Sequence, residues 1–345
     1  MRGPASPGQT SLPSAVLPRV TVAIPTRNRA DLALQAVASA LGQTYPNVEV
    51  VVSDDASTDD TAERVRALED PRVMLLRQWP RLGMTGNWQA CLKAAGGDLF
   101  LLLGDDDLLE PEAIERLSAP FRAGVDRIEA ERIGFSYSRV RLIDGSSETL
   151  WFTSGGPAVE AAIDMVGAFW SGRRGIYFSA VLARTADVRL FGYDDERFSY
   201  FNDVASWQRI ALRRGFVARI DEPLVRYRLH GTNHSADATM EEWMGAAKRA
   251  VEATVQSAAD QGDPAKVSAL KRHARDYMTN AAAVKILFGL RSGRSLRSTM
   301  RDAYDARRHL LRPYAIKRLF REWNKAGLWS SGPSSALPTG CGKGA

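Results

Sequence analysis

Short apolar runs alternate with amphipathic segments along the first third of the chain. The runs at 19–24 (RVTVAI), 49–53 (EVVVS), 73–76 (VMLL) and 99–103 (LFLLL) have the length and composition of buried strands. Between them, apolar residues recur at helical spacing in 29–41, 62–68 and 83–95. Because strands alternate with helices over short loops, we predict an α/β fold with a doubly wound, mostly parallel sheet that is Rossmann-like.

The pattern changes after Pro111, which fits the first turn of a helix. The runs at 134–143 and 149–153 flank an Asp-Gly-Ser turn and predict antiparallel pairing, and further strands are predicted at 176–183 and 224–229. A helix that begins near Asn202 ends at Gly215. From about 239 to 329 the spacing is helical, with breaks near 262–264, 289–293 and 312–313. We therefore predict a smaller antiparallel region and a C-terminal helical extension.

Composition divides the chain into four parts. Residues 1–18 and 330–345 are rich in Pro, Gly and Ser and are predicted to be disordered tails around a domain at 19–235 and a basic helical region at 236–329. No apolar stretch reaches the length of a membrane span. Cys91 and Cys341 are the only cysteines, which excludes a disulfide framework and favours a cytoplasmic location.

The net charge of +6 is concentrated in the C-terminal region. Residues 285–325 contain twelve Lys or Arg against three acidic residues, interleaved with aromatic and aliphatic side chains. Such a segment either lies on an anionic membrane surface or packs on the core with a solvated basic face. Because no nucleic-acid-binding motif accompanies the charge, nucleic acid is not expected as a partner.

Three adjacent carboxylates follow the fourth apolar run, at Asp105, Asp106 and Asp107, after Gly104. Ionised carboxylates at the end of a buried strand are costly unless a positive charge neutralises them. A solvated acidic turn is one interpretation. The other is a site for a divalent cation and a diphosphate, because ligands bind at the carboxyl ends of strands in open α/β sheets.

Over residues 20–235 the chain resembles glycosyltransferase family 2, whose members have the GT-A fold. The resemblance is carried by five segments in the order of the family: VAIPTRNRADLALQAVASALGQTYPNVEVVVSDDASTDDTAE, GMTGNW, LLLGDDDLLEP, FNDVASW and YRLHGTNHS. It implies an inverting transferase that moves a sugar from a nucleotide-diphosphate donor, UDP- or dTDP-linked, with Mn²⁺ or Mg²⁺ as cofactor. The acceptor would be a glycan or a lipid-linked glycoconjugate, with peripheral contact to an anionic membrane as a further expectation.

The resemblance also implies roles in donor binding. Asp55 matches the position that accepts the N3–H of a uracil or thymine base, although a capping turn would also explain it. Asn87 either faces the diphosphate or caps a helix. The remaining donor-binding positions follow the first strand or belong to the acidic trio: Pro25, Thr26, Arg27, Asn28, Asp105 and Asp106.

For the metal, the resemblance implies Asp106, with Asp107 in support and His230 completing the shell or touching the diphosphate. Gly104 stands where the family usually has another Asp, so which carboxylate of the trio binds the metal is left open. Asp203 matches the catalytic base, since an attacking hydroxyl must lose its proton. A helix N-cap is the alternative role for Asp203. Asn202 replaces the acidic residue that usually precedes the base.

Acceptor recognition has weaker signals. Aromatic and basic residues before the predicted strand at 176–183 are candidates to stack on a sugar or to bind phosphate: Phe169, Trp170, Arg173, Arg174 and Tyr177. Two other functions remain compatible with the sequence. One is a glycosyltransferase of a small secondary metabolite, and the other is a non-catalytic nucleotide-sugar binding protein.

Overall fold

The computed structural model describes residues 17–122, 127–193, 195–229, 238–291 and 296–306. The first part of the fold alternates strands and helices as the sequence predicts. Its elements are β1 (Val20–Thr26), α1 (Ala30–Leu41), β2 (Val48–Asp54), α2 (Thr61–Arg66), β3 (Val73–Arg77), α3 (Gly83–Ala94) and β4 (Leu99–Leu102).

The second part is more irregular. Its strands are β5 (Leu108–Leu109), β6 (Ile133–Ile143), β7 (Thr149–Phe152), β8 (Val159–Ala161), β9 (Val181–Arg184) and β10 (Phe216–Arg228). Its helices are α4 (Ala113–Ser118), α5 (Arg127–Arg132), α6 (Ala162–Trp170), α7 (Thr185–Phe191), α8 (Asp195–Phe198), α9 (Asn202–Arg214), α10 (Met240–Asp260), α11 (Pro264–Arg291) and α12 (Leu296–Asp305). Short 3₁₀ turns cover Ala119–Phe121, Phe178–Ala180 and Ser199–Phe201.

One sheet runs through the molecule in the order β3-β2-β1-β4-β9-β6-β10-β5, with β7 beside β6 and β8 beside β10. The pairs among β3, β2, β1 and β4 are parallel. From β4 onward the directions are mixed, because β9 is antiparallel to both β4 and β6. The predicted α/β fold is confirmed, but the mostly parallel sheet is correct only for its first half.

Side chains that alternate along the strands pack into two apolar cores, one on each face of the sheet. In β1, Val22 and Ile24 pack on the face covered by α1 and α4, whereas Ala23 points to the other face. That second face is covered by α3, α6 and α9 together with the C-terminal helices. β1, β2 and β4 are therefore buried on both sides, which is why the sequence shows them as continuous runs rather than alternating ones, whereas the edge strand β3 is only partly buried.

The C-terminal helices α10 and α11 share a core with the α/β domain. Trp243, Leu270 and Tyr277 belong to the same buried cluster as Phe135 of β6 and Trp207 of α9. Lys285, the first residue of the basic segment, is buried with its ammonium group 5.6 Å from the centre of the Trp243 ring. The predicted break near 262–264 is confirmed between α10 and α11.

Most of the predicted basic membrane segment and both predicted tails lie outside the described residues, apart from Leu17 and Pro18. These two are anchored, because their carbonyl groups accept hydrogen bonds from Asn47 and Tyr45. Among the helices the structure describes, none combines the length and apolar character needed to cross a bilayer.

Three element boundaries differ from the prediction. The strand expected at 176–183 is a 3₁₀ turn followed by β9, because Ser179 turns its hydroxyl towards Asp107. The last strand begins at Phe216 rather than 224, and its polar middle contains register shifts around Pro223, which has no N–H to donate. Pro111 lies two residues before the first residue of α4 rather than in its first turn.

Gly134 lets α9 lie close to β6. A Cβ atom at this position would be 2.8 Å from the Cα atom of Ala211 and 3.0 Å from the carbonyl oxygen of Ile210. We expect Gly134→Ala to lower the free energy of unfolding by about 1–3 kcal/mol, because helix backbone cannot yield as a flexible side chain can. Urea denaturation followed by circular dichroism measures the change.

The matched control is Gly145→Ala in the β6–β7 turn, where a Cβ atom would have no neighbour within 4 Å. Its free energy of unfolding should stay close to that of the parent. Equal stability of the two variants would contradict the close contact between β6 and α9.

Candidate active site

A cavity of ≈480 Å³ opens at the carboxyl ends of β1, β2 and β4. Helices α3 and α9 contribute their first turns to its wall, and α10 adds Trp243. The sequence-predicted residues that line it are Pro25, Thr26, Arg27, Asp55, Asn87, Asp105, Asp106 and Asp203. The other lining residues are Arg29, Arg81, Met84, Trp88, Gly104, Phe178, Tyr200, Tyr227 and Trp243.

Two carboxylates of the acidic trio face this cavity. Arg29 donates from Nη1 to Oδ1 of Asp105 and to Oδ2 of Asp106, both at 2.9 Å. The Thr26 hydroxyl donates to the other oxygen of Asp105 at 2.8 Å. Burial, and next the neighbouring Asp106, raise the pKa of Asp105 to about 6, although Arg29 and Thr26 lower it. This end of the cavity therefore favours additional positive charge.

The third carboxylate points away from the cavity. Asp107 accepts the Ser179 hydroxyl at 2.5 Å and the backbone N–H of Arg228 at 2.9 Å. Burial, followed by the charge of Asp106, raises its pKa well above the ordinary value. Arg228, from the predicted YRLH segment, donates to the carbonyl oxygen of Asp106. Asp107 and Arg228 thus fix the backbone that presents the other two carboxylates.

Asp55 and Asn87 lie where β2 meets α3. Oδ1 of Asp55 accepts the N–H of Leu82 at 2.6 Å, and Oδ2 accepts the N–H of Gly83 at 3.1 Å. Asp55 therefore holds the turn that begins α3, while its position on the cavity wall leaves Oδ1 with capacity for a second donor. Asn87 donates to the carbonyl oxygen of Ser53, and its own buried Oδ1 has no partner among the described residues.

Several predicted residues lie elsewhere. Asn28 links two loops, since it receives a hydrogen bond from the N–H of Thr58 and gives one from its own N–H to Ser57. His230 lies outside the described residues. None of the acceptor candidates lines the cavity: Phe169, Trp170, Arg173, Arg174 and Tyr177. Trp170 is fully buried in the core.

Asp203 occupies the first turn of α9, on the cavity wall. The N-cap residue is Phe201 and makes no side-chain cap, so the structure does not use Asp203 as an N-cap. Asn202 instead ties α9 to α3 by donating to the Thr85 hydroxyl at 3.1 Å. Burial raises the pKa of Asp203 to about 6, against the lowering effect of backbone N–H groups. A carboxylate with a pKa near neutrality suits proton abstraction.

The sequence analysis missed Arg29 and the aromatic part of the wall. The sequence pattern places Arg29 only at the start of the predicted helix at 29–41. The three adjacent carboxylates indicate that a positive charge is needed nearby, which could have pointed to Arg29. Tyr227 begins the recognised YRLHGTNHS segment and Tyr200 directly precedes the FNDVASW segment, so the sequence carried a signal for both. No motif in the sequence pointed to Trp243, because it lies on α10, outside the segments that carry the family resemblance.

A divalent cation fits the cavity at Asp105 and Asp106. Their carboxylate oxygens are the hard ligands that Mg²⁺ and Mn²⁺ prefer, and substrate phosphate oxygens commonly complete such a shell. Within the described ranges, no group of three or more His, Cys, Asp or Glu side chains is arranged to hold a metal. The protein alone therefore offers an open, two-carboxylate site.

The fold and the position of this cavity define a GT-A α/β domain. The family model described as "Glycosyl transferase family 2" matches residues 21–177. Over this segment the chain matches glycosyltransferase family 2, in agreement with the sequence resemblance. Asp203 and Trp243 lie beyond the matched segment.

Two curated relatives resemble the first part of the chain. "Succinoglycan biosynthesis protein ExoO" of Rhizobium meliloti is 39% identical over 101 residues, which cover 29% of each chain. "UDP-Glc:alpha-D-GlcNAc-diphosphoundecaprenol beta-1,3-glucosyltransferase WfaP" of Escherichia coli is 32% identical over 119 residues, covering 34% of this chain and 45% of the relative. The matched segments span less than half of the length of either relative.

A solved structure resembles the whole chain. The structure of S. aureus TarS 1-349 in complex with UDP-GlcNAc has a TM-score of 0.59, with 15% identity over 90% of this chain and 91% of that one. At this identity the likeness shows the fold, including a C-terminal helical region.

Because the pKa of Asp203 is raised in the folded chain, the contribution of this group to the free energy of unfolding falls as the pH rises. The folded chain binds the Asp203 proton more tightly than the unfolded chain, whose carboxyl has the ordinary value of 3.8. The stabilising contribution is therefore complete below 3.8 and is lost as the pH rises through about 6. We expect Asp203→Asn to raise the free energy of unfolding near pH 8, by up to about 3 kcal/mol, and to change it little near pH 4.

Urea denaturation at both pH values measures this difference. The matched control is Asp164→Asn, an exposed aspartate in the first turn of α6, for which no comparable gain is expected near pH 8. A stability change in Asp203→Asn that is the same at both pH values would contradict a buried, ionised Asp203.

Proposed function

We propose that this chain is an inverting glycosyltransferase that moves a sugar from a UDP- or dTDP-linked donor to a hydroxyl of a glycan or lipid-linked acceptor. One observation carries the proposal. A single cavity combines the carboxylate pair Asp105 and Asp106 with a separate carboxylate, Asp203, whose pKa is about 6. The first two suit a diphosphate with its cation, and the third suits a hydroxyl that must lose a proton.

The nucleotide end of the donor is proposed to lie near Asp55. The free capacity of its Oδ1 would accept the N3–H of a uracil or thymine ring, while Pro25 and Thr26 form the adjacent wall. Arg27 and Arg81 also line the cavity and would add positive charge beside the phosphates. The buried Oδ1 of Asn87 is a further acceptor on this wall. Asn28 would act indirectly, by holding the loop that carries Arg27.

Mn²⁺ or Mg²⁺ is the proposed cofactor, with Asp106 and Asp105 as its protein ligands. Bound there, the cation would supply positive charge to the leaving diphosphate. Asp107 would support the site from behind rather than ligate, given its bonds to Ser179 and Arg228. The role of His230 in the shell stays a prediction from the resemblance. Arg29 would balance the carboxylates when the cation is absent and contact phosphate when it is present.

Asp203 is proposed as the general base. Its carboxylate would accept the proton of the acceptor hydroxyl as that oxygen attacks the anomeric carbon from the face opposite the leaving diphosphate. Attack from the opposite face inverts the anomeric configuration. The absence of a second acid at Asn202 leaves Asp203 as the carboxylate of α9 on the cavity wall.

The acceptor class is inferred from the relatives. The name of one relative refers to a polysaccharide and that of the other to a diphosphoundecaprenol acceptor. We infer a polysaccharide or cell-envelope glycan as the product class. A lipid-linked acceptor implies action at a membrane surface from the cytoplasmic side.

The base is tested by separating transfer from donor binding. Asp203→Asn should lower the transfer rate at least about 100-fold, because general-base contributions are typically about 10²–10⁴-fold. Donor affinity should stay within about twofold, since the base acts on the acceptor. Calorimetric titration with UDP and Mn²⁺ gives the affinity. Release of UDP from UDP-sugars, or of dTDP from dTDP-sugars, in the presence of a glycan acceptor gives turnover. Asp164→Asn is the control, and parental transfer by Asp203→Asn would rule out Asp203 as the base.

The cation site is tested by binding rather than by turnover alone. Mn²⁺ should tighten UDP binding to the parent, and EDTA should remove that gain. Asp106→Asn should lose most of the Mn²⁺ effect, about tenfold or more in affinity, because one of two protein ligands is gone. Asp31→Asn, whose carboxylate pairs with Arg64 on the surface, is the control. UDP binding that is equally strong with Mn²⁺ and with EDTA would contradict the cation site.

A further inference from the structure

Asp203 separates two cavities. One is the active-site cavity, and the other is a smaller cavity of ≈30 Å³ behind it, which we call the inner cavity. Phe178 and Asp203 line both, so these two side chains form the wall between them. The rest of the inner cavity is mostly apolar, with Phe100 and Leu102 of the sheet among its lining residues.

One face of α9 carries three of the polar groups of the inner cavity, and Tyr193 adds a fourth. Asp203, Ser206 and Trp207 are spaced at i, i+3 and i+4, which places them on the same side of a helix. All three line the inner cavity. Ser206 is 2% exposed and Trp207 is 4% exposed, so neither reaches solvent at the protein surface.

Two of these groups lack a protein partner. Oγ of Ser206 and Nε1 of Trp207 are buried and have no hydrogen-bond partner within the described part of the chain. Buried polar groups in native proteins are nearly always paired with protein or ordered water. A volume of ≈30 Å³ is sufficient for one or two water molecules. Such water needs two to four polar partners, and Asp203, Ser206 and Trp207 supply three.

We propose that the inner cavity holds ordered water that links Asp203 to Ser206 and Trp207, and that these two are positioning residues for the base. The water accepts the Trp207 N–H, exchanges a hydrogen bond with the Ser206 hydroxyl and donates to the rear oxygen of Asp203. The carboxylate is thereby kept ionised, with its other oxygen directed into the active-site cavity. This inference rests on the proposed role of Asp203 as the base.

Other groups around Asp203 do not replace this water. The charge of Asp203 acts on three nearby tyrosines: Tyr193, Tyr227 and Tyr277. Burial raises the pKa of each of these tyrosines, so all three are neutral near pH 7. Tyr193 also lines the inner cavity, whereas the charged side chains that share the active-site cavity do not: Arg27, Arg29, Asp55, Arg81, Asp105 and Asp106. Ser206 and Trp207 are the groups of the inner cavity whose buried hydrogen-bonding atoms have no protein partner in the described part of the chain.

The pH profile of transfer distinguishes this role from a purely structural one. Ser206→Ala and Trp207→Phe each remove a group that anchors the water, so the ionised form of Asp203 becomes less favourable. The acidic limb of kcat/KM should move up by about 0.5–1 pH unit. Transfer should then fall about 2- to 5-fold near pH 6 and change little near pH 8. UDP affinity should not change.

Val188→Ile provides a test without removing a polar group. Val188 lines the inner cavity, and the added methyl group should displace water from it. The same upward shift of the acidic limb is expected. Ser136→Ala is the matched control, because the Ser136 hydroxyl is buried but donates to the carbonyl oxygen of Leu117, away from both cavities. Its pH profile should match that of the parent.

The failure of the inner-cavity water and the failure of Asp203 as the base give different experimental outcomes. If Asp203→Asn abolishes transfer but the Ser206, Trp207 and Val188 variants keep the parental acidic limb, the inner-cavity water is overturned and the base stands. If Asp203→Asn transfers normally, the proposed base is overturned instead. A crystal structure of the full chain with no water density in the inner cavity would also overturn the inference, whereas water bonded to all three side chains would support it.

Discussion

The charge of three adjacent carboxylates at the end of β4 constrains the structure around them. The chain separates them by direction: Asp107 points into the protein, while Asp105 and Asp106 face the cavity. The inward carboxylate needs partners, and it finds Ser179 and the backbone of Arg228. These hydrogen bonds join the turn that follows β4 to the 3₁₀ turn before β9 and to the end of β10. The outward pair is balanced by Arg29, which leaves a site where a cation or a phosphate changes the charge balance.

Asp203 reaches the opposite wall through packing that is distant in sequence. Gly134 allows α9 to approach β6 closely, and Asn202 ties the first turn of α9 to Thr85 of α3. The C-terminal helices then cover α9, and Trp243 completes the cavity wall. The region beyond the family match is therefore part of the same core and of the same cavity. The burial that raises the pKa of Asp203 therefore comes from tertiary packing and not from its own helix alone.

The residues predicted to bind the donor lie at the ends of strands, and strand ends can be identified from the sequence. Thr26, Asp55 and Asp105 come directly after apolar runs, and parallel strands in a doubly wound sheet bring their carboxyl ends to one edge. The aromatic wall has no such rule, because Tyr200, Tyr227 and Trp243 come from three elements whose meeting depends on how α9 and α10 pack. The candidates at 169–177 had the right residue types, but Trp170 is needed by the core and is fully buried.

The sequence by itself determined the α/β alternation, and it predicted the site at the end of β4 and the role of Asp203. Local patterns suffice for these features, since strand burial, turn chemistry and adjacent like charges are all properties of neighbouring residues. Tertiary structure alone decided the mixed strand directions, the inward turn of Asp107, the pairing of Arg29 with Asp105 and Asp106, and the inner cavity behind Asp203. Each of these depends on which way a side chain points and on what distant segment meets it, and the free energies of burial and charge pairing settle that only in the folded chain.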